Sequence, residues 1–434
     1  MWKVYLRQIV RLLRENKFFS VVYILGTALS VAMMMLILIT YHIKTGNIGE
    51  EDKRDRTAYI TRGYGVHIKD GSGNSSAFLS PFMIEKWFYP VKTAEIVCNL
   101  TKGSSLVYNA REQRYEELSA TYTDAAFWKL FSLRFVAGRG FNDAEVKGKS
   151  SQVVMDVTTA RRIFGTTDAV GRSVNIDWQD YTVCGIVADV PTYLADASSR
   201  IYVPYTTNAY AYREWGSSDV KVGPAFCLFL MPSHDDLPAL KQELEHQVRM
   251  MNAPCKKYCF SLREQPTDIL GQALKLGNPD VSVEGQRGTL RAICIILALF
   301  LIVPALNLSS LIVARLRKRA EEIGVRKAFG ASTANLMLQV LVENFVQMLL
   351  GGAIGLLLSY GMFQVVRSAL LANLNSLFQG GGYEGISTLS FWHVIDLTTV
   401  GYVLVICFVL NLVSTLLPAW RYARVPIVDA LNKR

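Results

Sequence analysis

Four long apolar stretches interrupt the polar background of this chain: Phe18 to His42, Thr289 to Ala314, Val346 to Leu371 and Val394 to Leu417. Each holds 24 to 26 residues, and at ~1.5 Å of rise per residue such a helix crosses the ~30 Å hydrocarbon layer of a bilayer. The pattern predicts four transmembrane helices. The first follows a basic leader, as a secretory signal would. Its apolar run exceeds the ~7 to 15 residues of a signal core, however, and it ends in Thr40-Tyr41-His42-Ile43 without a small-residue cleavage pair, so it reads as an uncleaved anchor.

Between the first two spans lie residues 43–288, a stretch of 246, long enough to bury its own core. Alternating or β-rich runs occur at Thr57 to Ile68, Gln152 to Asp156, Ser173 to Trp178, Tyr181 to Val187 and Ala225 to Met231, most of them bounded by Gly, Pro, Asp or Ser. Helices interrupt them. Ser80-Pro81 is an N-cap with proline at the first helical position, opening Pro81 to Tyr89, and Ser233 caps a helix through Met251 with Leu237, Leu240, Leu244, Val248 and Met251 on one face. This alternation is too irregular for one large parallel sheet, so the expectation is an α+β domain in two lobes. Ahead of the first span, residues 1–17 form an amphipathic pattern. Lys3, Arg7, Arg11 and Arg14 share one arc of a helical wheel, opposite Trp2, Leu6, Ile9 and Leu13. Such a helix lies in the headgroup boundary and pairs its bases with anionic lipid; a plain topogenic leader is the alternative.

Composition agrees with a membrane protein, since only 19% of residues are charged and 51% are hydrophobic, against ~25% charged in soluble domains. The net charge of +10 would suit a nucleic-acid partner, but its location excludes one. In residues 1–17, 315–335 and 418–434 together, 15 bases face four acids, so these flanks carry +11 and the rest of the chain is at −1. The positive-inside rule puts all three flanks in the cytoplasm. Both termini are then cytoplasmic, residues 43–288 are extracytoplasmic, and residues 372–393, with Gln379-Gly380-Gly381-Gly382-Tyr383, form a second outer loop.

Catalytic chemistry finds no motif. Gly148-Lys149-Ser150 imitates the end of a phosphate-binding loop, but Asp143 stands where the first glycine belongs, so these residues contain no Walker A motif. The five histidines, His42, His67, His234, His246 and His393, are scattered, which predicts no metal site. Seven cysteines cannot organise a fold of 434 residues. The nearest pair, Cys255 and Cys259, leaves a disulfide and two free thiols as equal alternatives. Pro304, Asn307 and Asn411 within the spans, and Glu343, Asn344 and Gln347 at the inner end of the third, read as interhelical contacts rather than an ion path, and Gly351, Gly352 and Gly355 would let backbones approach closely in a dimer.

The cytoplasmic segment 315–345 has its own logic. Glu321 and Glu322 open a short helix and Arg326 and Lys327 close it, matching the helix dipole, before Gly330 breaks it. The result is a charged rod suited to a groove on another protein. Its sequence, Arg319-Ala320-Glu321-Glu322-Ile323-Gly324-Val325-Arg326-Lys327-Ala328-Phe329-Gly330-Ala331-Ser332, resembles the signature loop of the FtsX/MacB permease family, and Pro418-Ala419-Trp420-Arg421-Tyr422-Ala423-Arg424-Val425-Pro426 resembles its C-terminal end. In the outer region Thr121-Tyr122-Thr123-Asp124, Phe127-Trp128, Ala137-Gly138-Arg139-Gly140-Phe141, Asp189-Val190-Pro191 and Ile201-Tyr202-Val203-Pro204 follow one another as in a MacB-type periplasmic core domain.

This resemblance implies a bacterial inner-membrane ABC-transporter permease that is not itself an enzyme, with no cofactor of its own. ATP and Mg would bind a separate cytoplasmic ATPase, an expectation that rests on the 17 residues before the first span. It also implies a second permease copy, as homodimer or heterodimer, and a periplasmic adaptor with an outer-membrane channel. The ATPase-coupling residues are then Glu321, Glu322, Ile323, Gly324, Arg326, Lys327 and Gly330. The function implied is mechanotransmission, ATP-driven motion of the spans passed to the outer domain, for export of a periplasmic substrate such as an antibiotic, peptide or toxin. A lipoprotein-releasing permease and an FtsX-like signalling permease share the architecture. A membrane-anchored sensor, from another class, would not explain the basic loop.

Overall fold

The computed structural model describes residues 17–69, 75–217, 219–275, 281–299, 333–375, 400–406, 408–409 and 412. These residues divide between two compact units. One comprises Met1–His42, Leu290–Ser368 and Ser390–Arg434, the other Ile43–Thr289 and Ala369–Leu389.

The first unit is helical where it is described. Two helices are long and apolar enough to cross a membrane, Ser20–Thr45 within the helix Lys17–Thr45 and Asn344–Val365 within the helix Thr333–Asn375. Residues 283–299 are also helical, but most of the expected spans Thr289–Ala314 and Val394–Leu417 lies outside the described residues. Three hydroxyls of the first helix bond within it: those of Thr27, Ser30 and Thr40 donate to the carbonyls of Tyr23, Gly26 and Leu36 one turn back. Close approach then replaces polar attraction. A Cβ at Gly351 would stand 2.8 Å from Thr27 Cβ, and one at Gly355 would stand 2.7 Å from the Ala28 carbonyl oxygen. The tight contact expected of these glycines between two copies is thus made within one chain, by packing small residues against a neighbouring helix.

The outer unit is α+β. Its main sheet has nine strands: β1 (Thr57–Ile60), β4 (Ile96–Asn109), β5 (Arg114–Thr123), β6 (Phe135–Gly138), β7 (Gln152–Asp156), β8 (Ser173–Ile176), β9 (Gln179–Val187), β10 (Ile201–Pro204) and β13 (Phe226–Leu230). The order runs β1-β13-β4-β5-β10-β7-β9-β6, and β8 pairs with both β4 and β9. That double pairing closes β4-β5-β10-β7-β9-β8 into a barrel-like ring, through Val107 opposite Ile176. The parallel pairs β10–β5 and β7–β9 sit among antiparallel ones, so the sheet is mixed. A separate three-stranded sheet joins β14 (Tyr258–Ser261), β2 (Gly63–His67) and β3 (Ser75–Ala77), and β11 (Trp215–Gly216) pairs with β12 (Lys221–Val222).

Two local expectations change in the structure. Thr57 to Ile68 is two strands in different sheets, because the Gln265 side chain takes the turn between them: its Oε1 accepts from Thr61 N at 2.7 Å and its Nε2 donates to the Arg62 carbonyl at 2.7 Å. Ser80 does begin a helix, Pro81–Met83, that widens over Ile84–Phe88, but its hydroxyl donates to Glu214 rather than capping the first turn. Ser233 behaves as expected and makes a capping box with Asp236 ahead of the helix Leu237–Asn252. Leu240 and Leu244 of that helix are buried with Ile60, Ile84, Phe88, Phe229 and Phe260, each such side chain contributing ~1.5–3 kcal/mol of burial. This core joins the small sheet, the helix and the β1–β13 edge into one body.

Candidate functional site

Between the end of the first helix and β1 the chain carries seven charged residues in a row, Glu50-Glu51-Asp52-Lys53-Arg54-Asp55-Arg56. Such a run is normally solvated. Here Glu51 and Arg54 are instead buried, at 2% and 7% exposure, three positions apart on the turn that leads into β1.

Their partners explain how two charges persist there. Glu51 Oε1 accepts from the backbone N–H groups of Asp196 at 3.0 Å and Ala197 at 2.8 Å, while Oε2 takes the Arg54 guanidinium. Arg54 Nη1 turns the other way and donates to the carbonyls of Ile43 at 2.9 Å and Gly46 at 3.3 Å. These carbonyls belong to the last turn of the helix Lys17–Thr45 and the residue just beyond it. A helix leaves its final carbonyls without intrahelical donors and carries partial negative charge there, so a guanidinium is a fitting cap. Burial opposes the Arg54 charge, but Glu51, Tyr59 and Asp196 together hold the guanidinium above its ordinary value. Asp196 is in turn pushed up to about 7 by burial and by Glu51, against Arg54 and Lys102. Burial pulls Lys102 down to about 8, against Asp196 and Glu51.

The other charges of the run fasten its outer side. Lys53 Nζ donates to the Lys129 carbonyl at 2.8 Å, at the end of the short helix Phe127–Leu130. The Ser132 N–H donates to the Glu50 carbonyl and its hydroxyl to Asp52. Arg56 meets Glu95 and the Met231 carbonyl, and the Asp55 carbonyl lies 3.1 Å from His234 Nδ1. One short segment therefore ties the helix end to four stretches that are remote in sequence.

Sequence reasoning did not single out this segment. The available signal was the Glu-x-x-Arg spacing within an unbroken charge run directly after an apolar helix. The residues it did single out lie elsewhere. Lys3, Arg7, Arg11, Arg14, Glu321, Glu322, Ile323, Gly324, Arg326, Lys327 and Gly330 are outside the described residues. Cys255 and Cys259 are described, and they are separate thiols rather than a disulfide. Cys255 follows the helix Leu237–Asn252 and points at the Asp219 carbonyl, whereas Cys259 lies in β14 and donates to the Val66 carbonyl of β2, so strand pairing directs the two sulfurs to different partners. Among the described residues no group of three or more His, Cys, Asp or Glu side chains is placed to hold a metal.

Comparison with known proteins places this geometry in context. The family described as MacB-like periplasmic core domain matches residues 20–247, and the family described as FtsX-like permease C-terminal matches residues 294–427. The macrolide export ATP-binding/permease protein MacB of Burkholderia cenocepacia is 27% identical over 261 residues, covering 59% of this chain and 35% of that protein. The protein of the same name from Acinetobacter baylyi is 25% identical over 281 residues, 63% of this chain and 39% of that one. The chain thus spans little more than a third of the length of these relatives. Among solved structures, the periplasmic region of MacB from Actinobacillus actinomycetemcomitans aligns with a TM-score of 0.36 at 16% identity, covering 51% of this chain and 94% of that one.

Proposed function

The chain belongs to the MacB/FtsX permease family, and from that premise we propose that it is the permease of an ABC transporter that carries ATP-driven motion from the membrane to its outer domain. The ATP-binding part is a domain these 434 residues do not contain, since they hold no Walker A motif. One observation supports the transmission reading above others: the apolar helix Lys17–Thr45 runs unbroken to a segment that is fastened, by buried charge and backbone hydrogen bonds, to the outer unit. A permease that only offered a pore would not need its outer domain attached so firmly to one helix end.

In this reading four spans place both termini in the cytoplasm and residues 43–288 in the periplasm, and the permease works as a dimer. The segment around Glu321 to Gly330 docks in the ATPase, and the transported substrate is taken from the periplasm for export. Arg326 and Lys327 are the bases placed to meet acids on the ATPase. Charge-assisted contacts of this kind are worth about 1.5–3 kcal/mol each, so reversing both should weaken docking by more than about tenfold. The test is the double change Arg326→Glu and Lys327→Glu in the full chain, with Lys433→Glu and Arg434→Glu as control. The first should remain inserted but lose recovery of the ATPase and its transport phenotype, while the control keeps both. Normal recovery with full activity at physiological salt would reduce the loop to a topogenic signal.

A further inference from the structure

We propose that Glu51 and Arg54 form the mechanical joint of this permease, a buried ion pair that passes movement of the first helix to the barrel-like sheet by way of the loop 194–198. This rests on the transmission reading above and names the residues that carry it within the outer unit.

The argument follows the bonds outward from the helix end. The Ile43 and Gly46 carbonyls are held by Arg54, Arg54 is held by Glu51, and Glu51 is held by the Asp196 and Ala197 amides. The loop is in turn gripped by three strands. Lys102 Nζ, from the middle of β4, donates to the Ser198 carbonyl and to Thr121 Oγ1 of β5, both at 2.9 Å. Tyr202 of β10 donates its hydroxyl to the Ala197 carbonyl at 2.8 Å, and the Ser199 hydroxyl reaches the Ser119 carbonyl of β5 at 3.1 Å. Every link is a hydrogen bond or ion pair between named atoms, so a continuous series of contacts runs from the helix end to three neighbouring strands of the ring.

Chemistry favours a joint over a merely stabilising pair. A buried ion pair adds little net stability compared with apolar residues of the same size, because desolvation offsets attraction, yet losing one partner is costly. What it supplies is direction: Glu51 fixes the guanidinium through Nε and Nη2, and this aims Nη1 at the helix carbonyls. Replacing both residues by apolar ones removes the linkage without leaving a lone buried charge, at the cost of the backbone groups the pair satisfied, which makes the idea testable.

The experiment is hydrogen exchange on the full chain, reconstituted with its ATPase in lipid nanodiscs, with and without ATP and vanadate. In the unchanged protein, nucleotide should alter exchange at the Asp196 and Ala197 amides and in β4 and β5 around Lys102 and Thr121. In the double variant Glu51→Leu and Arg54→Met, with ATPase recovery retained and the protein still folded at the exchange temperature, that response should fall by about fivefold or more, the lower bound of ordinary coupling between sites. A second variant, Lys102→Met, cuts only the link from the loop to β4 and should abolish the response around residue 102 while leaving it at Asp196 and Ala197 and at Ser119 of β5, which the Ser199 hydroxyl still holds. This split is one that general destabilisation would not produce. A full response in the double variant, or loss at Asp196 and Ala197 as well in Lys102→Met, overturns the joint while the transmission reading stands. An unchanged complex that shows no nucleotide response anywhere in residues 43–289 overturns the transmission reading and the joint with it.

Discussion

Glu51 and Asp124 are both buried carboxylates of the outer unit, but they are held in opposite ways. Glu51 faces a cation and two amides contributed by a distant loop. Asp124 has neutral donors: its Oδ2 accepts from the Tyr89 hydroxyl at 2.7 Å and the Asn99 amide at 2.9 Å, and its Oδ1 from the Ala126 amide at 3.0 Å. Burial pushes the Asp124 carboxyl up to about 6, against the pull of those hydrogen bonds. The difference separates two uses of a buried acid. Asp124 shapes the turn between β5 and the helix Phe127–Leu130, where a neutral amide side chain would do much of the same work. Glu51 is one half of a pair whose members cannot be removed singly without exposing the other's charge to a buried, poorly solvated site.

Removing half of that pair should give the largest effect. Arg54→Ala leaves Glu51 buried without its cation and should cost about 3–5 kcal/mol, read as a large drop in the melting temperature of the full chain in detergent. The double variant Glu51→Leu and Arg54→Met leaves no lone charge and should cost less, its loss being that of the backbone groups the pair satisfied. If the two proteins melt together, the ion pair is not what holds the segment.

An intermediate effect is expected at the neutral site. Asp124→Asn keeps an acceptor for the backbone amides and should cost about 1–2 kcal/mol near pH 4. The sign of its pH dependence follows from the raised carboxyl. An unfolded Asp titrates near ~3.9, so between about pH 4 and 6 the folded state binds more protons than the unfolded one, and the stability Asp124 supplies falls as pH rises through that window. The cost of Asp124→Asn should accordingly shrink between pH 4 and pH 7, measured as the difference in melting temperature from the unchanged protein. A cost that grows over that range would mean that the carboxylate is favoured in the fold after all.

The smallest effect should come from Lys53, which neighbours Arg54 in sequence and also caps a helix end, but from a partly exposed position. Lys53→Met should cost no more than about 0.3–1 kcal/mol, a shift of a few degrees at most. A loss comparable to that of Arg54→Ala would show that the number of charges in the run, rather than burial, sets the energetics.

Much of the outer unit was legible along the chain where burial is periodic. The helix Leu237–Asn252 announced itself through Leu240 and Leu244 four positions apart and through the Ser233 cap, and β7, β9 and β13 through short runs rich in β-branched and other apolar residues. The two longest strands were not legible. β4 carries Asn99, Thr101, Lys102, Ser104 and Ser105, and several of these polar side chains are met by the neighbouring strand β5, such as the Tyr122 hydroxyl 2.6 Å from Ser105 Oγ and Thr121 against Lys102. Alternation of apolar and polar residues fails as a signal when the concealed face is itself polar.

The amino-acid sequence by itself determined which segments are apolar enough to leave water, where charge accumulates beside them, and which short stretches are helix or strand, because these properties depend on neighbours within a turn or two. Tertiary structure alone decided that two members of a seven-residue charge run are buried, that β8 closes a ring, and that Gly351 and Gly355 receive a helix of the same chain. The physical reason is the same in each case. Whether a charge can be buried depends on donors and acceptors brought to it from far along the chain, here from Ile43 on one side and from Asp196 and Ala197 on the other. The seven charged residues in a row carry no record of those partners.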